Sequence, residues 1–218
     1  MSESIKHPKR MENDMNRLIP KIGSATVTLT VFLFAVFLIA DFIFGSYFVC
    51  MLLPIGYIMV AAGFQHESAE ERRVSASIGT IFSAIYAILI LLVYFAQTTT
   101  VISEDMSEQA IKILDYRKCG LLFNYDLLGY GMMALSTFFI GLSVKADNKP
   151  DKWLKYLMMI HGVFFIGCFI MPMTGVFTDM SNDGKGGTIA LLFWCLYFLP
   201  IGILSYRHFG KGRQDPVR

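Results

Sequence analysis

The sequence is poor in charged residues for its length. Lys, Arg, Asp and Glu make up 17% of the 218 residues, whereas hydrophobic residues make up 55% and the mean hydropathy is +0.53. A soluble domain of this size rarely has such a composition. The net charge of +2 is small, and the basic residues gather at the ends of apolar segments. The sequence therefore gives no support to nucleic-acid binding and predicts one membrane-embedded domain.

Cysteine is also scarce, and its spacing fits no metal site. The four cysteines form no CxxC pair, and most of them fall in apolar segments, where cysteine acts as a small packing residue. A Cys50–Cys119 disulfide stays open, because both residues are predicted near the same membrane face. His66 and Glu70 have metal-ligand spacing on a helix, but the charges around them favour a solvated turn.

Known catalytic motifs are missing as well. The sequence has no GxSxG, HExxH or P-loop motif. We therefore predict no catalytic residue, no metal ion and no cofactor, and we lean against an enzyme.

Six long apolar segments dominate what is present. A membrane-spanning helix needs about 20 mostly apolar residues. The predicted spans are Ile22–Phe44, Ser46–Phe64, Val74–Gln97, Leu121–Val144, Trp153–Phe177 and Gly187–Tyr206. Gly45-Ser46 is the predicted turn between the first two. The fold class is thus all-α, a polytopic membrane protein with six transmembrane helices in one bundle (residues 22–206), preceded by a basic segment (1–21) and followed by a basic tail (207–218).

The basic residues predict the orientation of these spans. With six spans, 15 of the 19 Lys and Arg residues lie on one side, at the two chain ends and in the second and fourth loops. The other side holds only Lys112, Arg117, Lys118 and Lys185. Because cytoplasmic loops are enriched in Lys and Arg, we expect a cell-membrane protein with both termini in the cytoplasm.

The one long loop, Thr98–Gly120, then faces outward. Asp105 and Glu108 have capping-box spacing, and apolar residues follow at helical spacing. The pattern predicts a short amphipathic helix at about Met106–Tyr116. It would act either as a lid over the bundle or as a linker that rests among the lipid headgroups.

Two patterns predict helix packing. Ser75, Gly79, Ser83 and Ala87 place a small residue at every fourth position of the third span, which favours close contact with another helix. The second and sixth spans both contain Leu-Pro-Ile-Gly, at Leu53–Gly56 and Leu199–Gly202. The repeat indicates two static kinks, or else a duplication or a pair of hinges.

Several polar side chains fall near the outer ends of three spans. An ionisable residue inside the bilayer costs about 3 kcal/mol on insertion scales and often marks function. Asp41 and Asp126 are such residues, and they lie within about 10 Å of the outer boundary at a rise of about 1.5 Å per residue. The candidate ligand-binding residues at this level are Asp41, Gln97, Thr98, Asn124, Asp126 and Tyr130.

These residues have two interpretations. They converge in an outward-open pocket, where two carboxylates would create a proton or cation site. Alternatively, these side chains remain hydrated near the lipid headgroups, where they cap helices and pair with Lys112, Arg117 or Lys118.

His161 is the deepest ionisable candidate. It lies about 12 Å from the inner end of the fifth span, and we include it among the ligand-binding candidates. A neutral imidazole bonded to a neighbouring helix is the simpler role, and a proton relay or ligand contact is the other.

Two stretches carry a family resemblance. Tyr94–Val101 closes the third span, and Asp126–Gly131 opens the fourth. The combination resembles small uncharacterised six-span prokaryotic integral membrane proteins. The resemblance implies the fold and no chemistry, and it points to the outer ends of these two spans.

Three functions follow as hypotheses. The first is a protein that binds or transports a small molecule or a lipid through an outward-facing pocket. The second is an intramembrane lipid-modifying enzyme that uses an Asp and His161. The third is an assembly or accessory subunit. The expected partners are membrane lipids and a small-molecule or lipid ligand, and the sequence does not indicate the oligomeric state.

Overall fold

Long apolar runs in the sequence become long helices. A computed structural model describes residues 6–102, 106–177 and 184–210 of the chain. The helices are α1 Lys6–Ile39, α2 Ile43–Glu67, α3 Arg73–Thr99, α4 Glu108–Leu114, α5 Leu121–Ser143, α6 Lys149–His161, α7 Phe164–Ile170 and α8 Gly184–Gly210. Short 3₁₀ turns cover Glu70–Arg72, Tyr116–Lys118 and Met171–Thr174.

Within the described residues, six helical segments are long and apolar enough to cross a membrane. They are Met15–Ile39, Ile43–Glu67, Glu70–Thr99, Leu121–Ser143, Lys149–Thr174 and Gly186–Gly210. A helix satisfies its backbone hydrogen bonds internally, as a segment in lipid must. The predicted all-α architecture with six apolar helices is confirmed.

The six segments form a closed ring in chain order. Each packs against the next, and α8 packs against both α6 and α1. The last residue of α8, Gly210, lies beside Lys21 of α1, so α8 ends near the start of the membrane-spanning part of α1, Met15–Ile39. We call this the terminal end of the bundle. The opposite end is where α1 and α3 finish and where α2 and α5 start.

The first helix ends earlier than the sequence predicts. The turn lies at residues 40–42, not at Gly45-Ser46, and α2 runs through both of those residues. Asp41 has a left-handed φ of 52°. The Phe42 N–H donates to Phe37 O at 2.9 Å and the Asp41 N–H to Leu38 O at 3.4 Å, the pattern of a Schellman helix stop. Asp tolerates the left-handed region better than most residues, which explains this position.

The fifth span is not one continuous helix. It breaks after His161, where the Gly162 N–H donates to Met159 O and the Val163 N–H to Ile160 O. A Cβ at Gly162 would lie 2.8 Å from the Phe138 Cβ. The break therefore follows from a close contact with α5, and Pro172 lies further along in a 3₁₀ turn.

The predicted small-residue stripe of the third span packs against α5. Ser136 donates a 2.6 Å hydrogen bond to the Gly79 carbonyl, and Ser75 donates one of 2.8 Å to Phe139 O. A Cβ at Gly79 would lie 2.6 Å from Ile140 Cγ1, so only glycine allows this approach.

Both Leu-Pro-Ile-Gly segments meet α1 through their glycines. A Cβ at Gly56 would lie 2.9 Å from the Gly23 carbonyl oxygen, and one at Gly202 would lie 2.6 Å from Thr28 Oγ1. The repeat thus places two close helix contacts on either side of α1.

Candidate functional site

The buried face of α5 carries one acidic residue. Leu122, Gly129, Tyr130 and Met133 lie three, four or seven residues from Asp126 and are buried with it. Asp126 is 2% exposed. Its Oδ1 has no hydrogen-bond partner among the described residues. Packing of an otherwise apolar helix face has therefore enclosed a carboxyl group.

Tyrosines and a cysteine from α2, α3, the 3₁₀ turn and α5 surround this carboxyl group. The side chains of Tyr94, from α3, and Tyr116, from the 3₁₀ turn, interact with the Asp126 side chain. Cys50 of α2 lies beside Tyr130, with Sγ 4.0 Å from the Tyr130 hydroxyl. We call Cys50, Tyr94, Tyr116, Asp126 and Tyr130 the Asp126 cluster.

Aromatic rings continue this cluster toward the opposite end. The ring centroids of Tyr47 and Tyr94 are 5.5 Å apart, and each of these rings is 6.1 Å from that of Tyr116. Tyr116 also makes an edge contact with Phe123 at 5.1 Å. Three tyrosines from α2, α3 and the 3₁₀ turn thus form a triangle next to the carboxyl group.

A short segment between α4 and α5 covers the cluster. We call Leu114–Gly120 the cover segment. Gln97, at the end of α3 and 1% exposed, donates a 2.7 Å hydrogen bond to Leu114 O and accepts one of 3.0 Å from the Tyr116 N–H. One amide side chain therefore fixes the segment that carries Tyr116.

The cover segment is also braced internally. Asp115 accepts hydrogen bonds from the Arg117 N–H at 2.9 Å, Nε at 3.1 Å and Nη2 at 2.9 Å. Burial raises the pKa of the Asp115 carboxyl, but the hydrogen bonds and charge of Arg117 outweigh this effect and hold the pKa below its ordinary value. Arg117 remains 62% exposed and is directed at Asp115.

Asp126 has no counter-ion in the described part of the chain. The ion pairs found there involve Glu67, Asp115, Asp147 and Asp151 as acids. A buried carboxylate without a cation is costly, and such a group is neutralised by a proton or by a cationic partner. The described residues also contain no group of three His, Cys, Asp or Glu that could hold a metal ion.

The structure brings three of the predicted site residues together. Gln97, Asp126 and Tyr130 meet around Tyr116 and Cys50. Three others lie elsewhere. Asp41 is exposed in the helix stop, Asn124 is exposed on α5, and Thr98 bonds back to Tyr94 O at 2.9 Å within its own helix. Of the two interpretations, a pocket shared by two carboxylates does not describe this arrangement, because α1 ends before Asp41 and leaves it exposed.

His161 is held in place on both ring nitrogens. The Trp194 indole N–H can only donate, so His161 Nε2 accepts its 3.1 Å hydrogen bond. The other nitrogen, Nδ1, is then the protonated one and donates to Thr137 Oγ1 at 2.8 Å, while the Thr137 hydroxyl donates to Ala134 O. His161 is a neutral side chain that ties α6 to α5 and α8, and the Asp126 cluster does not include it.

A second group of ionisable residues lies at the terminal end. His208 Nε2 is 3.0 Å from Glu67 Oε2, and His208 Nδ1 is 3.0 Å from Asp151 Oδ1. Arg17 Nε donates to Glu67 Oε1 at 3.3 Å. Both His208 nitrogens face carboxylates, and an imidazolium satisfies both contacts. We call Arg17, Glu67, Asp151 and His208 the terminal clamp, which joins α1, α2, α6 and α8.

An open depression of about 430 Å³ also lies at the terminal end. It is lined by Ala62, Gln65, His66 and Arg73. His66 contacts Asn16 Nδ2 at 3.3 Å there. None of the residues that line this depression belongs to the Asp126 cluster.

The four cysteines are free in the structure, including Cys50 and Cys119. Cys50 is buried in the cluster, whereas Cys119 lies in the cover segment with a left-handed φ of 52°. Burial raises the pKa of the Cys119 thiol above its ordinary value.

Sequence reasoning named Tyr130 but missed Tyr47, Tyr94 and Tyr116 as neighbours of Asp126. The signal for Tyr94 was present, because it is three residues from Gln97 and eleven from Ser83, on the buried face of α3. Nothing in the pattern located Tyr116 or Tyr47, since their contacts depend on how the cover segment folds back.

Comparison with known proteins adds no relative. No protein-family model, no curated protein and no solved structure matches this chain.

Proposed function

We propose that this chain is a six-span protein of the cell membrane that binds a small molecule or a lipid at the Asp126 cluster. The single observation that carries the proposal is the buried Asp126 carboxyl, whose Oδ1 has no partner among the described residues. Buried polar atoms in proteins are nearly always hydrogen-bonded, and exceptions mark functional sites. A ligand atom that fills this position removes the penalty.

The orientation is part of the proposal. Both ends of the described chain lie at the terminal end, and 12 of the 16 Lys and Arg residues in the described ranges belong to segments on that side. The positive-inside tendency then puts the terminal end in the cytoplasm. The cover segment, with Cys119, faces outward, and the ligand approaches the cluster from that side.

The cover segment supports a pocket that opens and closes. Gln97 holds its backbone through two hydrogen bonds, and a Cβ at Gly120 would lie 2.3 Å from the Lys112 carbonyl oxygen. The described contacts between the cover segment and the bundle are these two hydrogen bonds and the packing of the Tyr116 ring on Tyr47, Tyr94 and Phe123. A short segment held by such local contacts opens and closes at a smaller cost than the packing between long helices.

An enzyme built on Asp126 and His161 finds less support. Thr137 and Trp194 occupy both His161 nitrogens, so the imidazole has no free position for proton transfer in this arrangement. Binding or transport fits the geometry better than lipid chemistry, and it agrees with the resemblance to six-span membrane proteins.

A ligand screen tests the proposal. The purified chain in a neutral detergent is heated with a panel of amines, carboxylic acids, sugars and short-chain lipids, and the shift in Tm is recorded. We expect at least one class to raise the Tm of the wild type and to lose that effect in Asp126→Asn. Asp41→Asn is the matched control, because it removes the same charge at the same end without touching the cluster. If every stabilising compound acts equally on wild type, Asp126→Asn and Asp41→Asn, the binding proposal fails.

Thiol labelling tests the orientation separately. A membrane-impermeant maleimide added to intact cells should modify Cys119 and should give no signal in Cys119→Ser. Labelling of Cys119 only after the cells are broken would reverse the assignment of the two faces.

A further inference from the structure

The Asp126 cluster combines one unpartnered carboxyl oxygen with a group of tyrosine rings. Resting on the proposed function, we infer that the ligand presents a positively charged ammonium group, carried by an amphipathic amine or by a lipid headgroup. The inference names the chemical class that this set of side chains recognises.

Charge is the first argument. Asp126 is 2% exposed, and no basic side chain in the described part of the chain forms an ion pair with it. An anionic ligand would bring a second negative charge into a space without a cation, which is strongly unfavourable. A cation supplies the missing charge and an ammonium N–H also supplies the donor that Oδ1 lacks.

The aromatic rings are the second argument. Tyr47, Tyr94 and Tyr116 come from three different segments, and their ring centroids lie 5.5 to 6.1 Å from one another. Tyrosine faces attract alkylammonium groups, and the attraction grows when the site excludes water. Rings from separate segments beside one carboxyl group are the composition of known ammonium sites.

The basic residues of the cover segment do not compete for Asp126. Arg117 is bound to Asp115 through its Nε and Nη2 atoms. Lys112 and Lys118 are exposed. The carboxyl group at the centre of the cluster is thus left for an external cation.

A metal ion fits this site less well. Asp126 is a single carboxylate, and no group of three His, Cys, Asp or Glu in the described ranges could hold a metal. Hard divalent cations take six or more oxygen ligands, usually with several carboxylates. An organic ammonium group needs only one carboxylate and aromatic walls.

Three probes with the same phenyl body test the inference. They are 2-phenylethylammonium, 2-phenylethanol and phenylacetate, which differ in charge. Equilibrium dialysis with the full chain in phosphatidylglycerol nanodiscs should give binding of the ammonium probe at least about tenfold tighter than of the alcohol. Phenylacetate should bind more weakly still. This comparison uses the wild type alone and does not depend on the folding of a variant.

Two variants refine the test. In Asp126→Asn the preference for ammonium over alcohol should fall to about one, while Asp41→Asn should keep the wild-type preference. Gly120→Ala, which displaces the cover segment and its Tyr116 but leaves Asp126 unchanged, should speed association of the ammonium probe.

Four outcomes are distinguishable. If the alcohol binds as tightly as the ammonium and Asp126→Asn weakens both, the cation class is wrong while binding at the cluster stands. If none of the three probes nor any compound of the wider panel depends on Asp126, both proposals fail. If an infrared band of a protonated carboxyl vanishes in Asp126→Asn but no ammonium probe perturbs it, the site takes a proton only and the inference is overturned. An Asp126-dependent ammonium preference supports it.

Adding phosphatidylethanolamine to the nanodiscs separates the two sources of the ammonium group. Competition with the probe identifies a lipid headgroup as the occupant. Unchanged probe binding identifies a free amine. Either result is consistent with a ligand that carries an ammonium group.

Discussion

The two ends of the bundle differ in how their ionisable side chains are paired. At the terminal end, His208 lies between Glu67 and Asp151, and Arg17 adds a further contact to Glu67. At the opposite end, Asp126 is buried with one oxygen that has no described partner. The first arrangement joins helices, because each charge is matched by its opposite. The second is incomplete, because the described side chains around the carboxyl group are tyrosines and a cysteine, which supply no positive charge.

This difference predicts different consequences of substitution at the two ends. A buried charge with its partners resists removal of either partner, because the remaining charge is left unpaired. A buried carboxyl group without a counter-ion weakens the fold unless a proton or a cation neutralises it. The same kind of substitution should therefore have opposite effects on stability at the two ends.

The largest effect is expected at the terminal clamp. His208→Ala leaves the Glu67 and Asp151 carboxylates facing each other, so the free energy of unfolding should fall by about 3 kcal/mol. Unfolding in mixed micelles measures the change. His66→Ala is the control at the same end. His66 is exposed, and among the described residues its side chain hydrogen-bonds with Asn16. A loss in His208→Ala no larger than in His66→Ala would show that the clamp does not stabilise the bundle.

The second effect concerns the cover segment. Gln97→Ala leaves Leu114 O and the Tyr116 N–H without their partner, at a cost of about 2 kcal/mol. The rate of maleimide labelling at Cys119 should rise more than about tenfold as the segment leaves the bundle. Thr98→Val is the neighbouring control, because the Thr98 hydroxyl bonds only within α3. Equal labelling rates in both variants would mean that Gln97 does not hold the cover.

The third effect is the reverse of the first. Asp126→Asn removes an unpaired carboxyl from a buried position, so the free energy of unfolding should stay level or rise by about 1 kcal/mol. The same micelle assay compares it with His208→Ala. A loss as large as that of His208→Ala would place Asp126 among the structural residues and would erase the contrast between the two ends.

The smallest effect is a pH dependence within the cover segment. Burial raises the pKa of Asp115, but Arg117 lowers it more, so the folded pKa lies below the ordinary 3.8. The unfolded carboxyl binds protons first as pH falls, and the stability that the Asp115–Arg117 pair gives is lost only as pH drops through the folded value. A fluorine label on Cys119 should therefore report an unchanged segment from about pH 8 to about pH 5 and a change in acid. Asp115→Asn should abolish that acid transition, and a transition near neutral pH that survives the substitution would contradict the assignment.

Local sequence patterns predicted some residues of the candidate site. They did not predict which residues bury Asp126. The small residues of α3 recur at every fourth position, and Asp126 and Tyr130 share the buried face of α5. The prediction for Asp41 was wrong, because a single left-handed residue ended α1 and hydropathy does not register such a stop. The position of Tyr116 could not be predicted from the sequence. It depends on two hydrogen bonds between the cover segment and the Gln97 side chain, which is nineteen residues away from Tyr116.

For His161 too, the sequence did not reveal the hydrogen-bond partners. Its depth in an apolar segment marked it as unusual, and this was a correct reading of composition. Only the packing of α6 against α5 and α8 supplied Thr137 and Trp194 as partners. A sequence pattern can mark a polar residue as costly, but it does not reveal whether a partner is present.

The amino-acid sequence by itself determined that the chain forms long apolar helices with basic residues at one set of ends. The reason is that hydropathy and backbone hydrogen bonding act locally, along each segment. Only the tertiary structure decided which buried charges are matched, because His208 meets Glu67 and Asp151 across 141 and 57 residues of chain. The same reason applies to the unpartnered Oδ1 of Asp126, because helix packing determines which side chains lie close enough to hydrogen-bond with it.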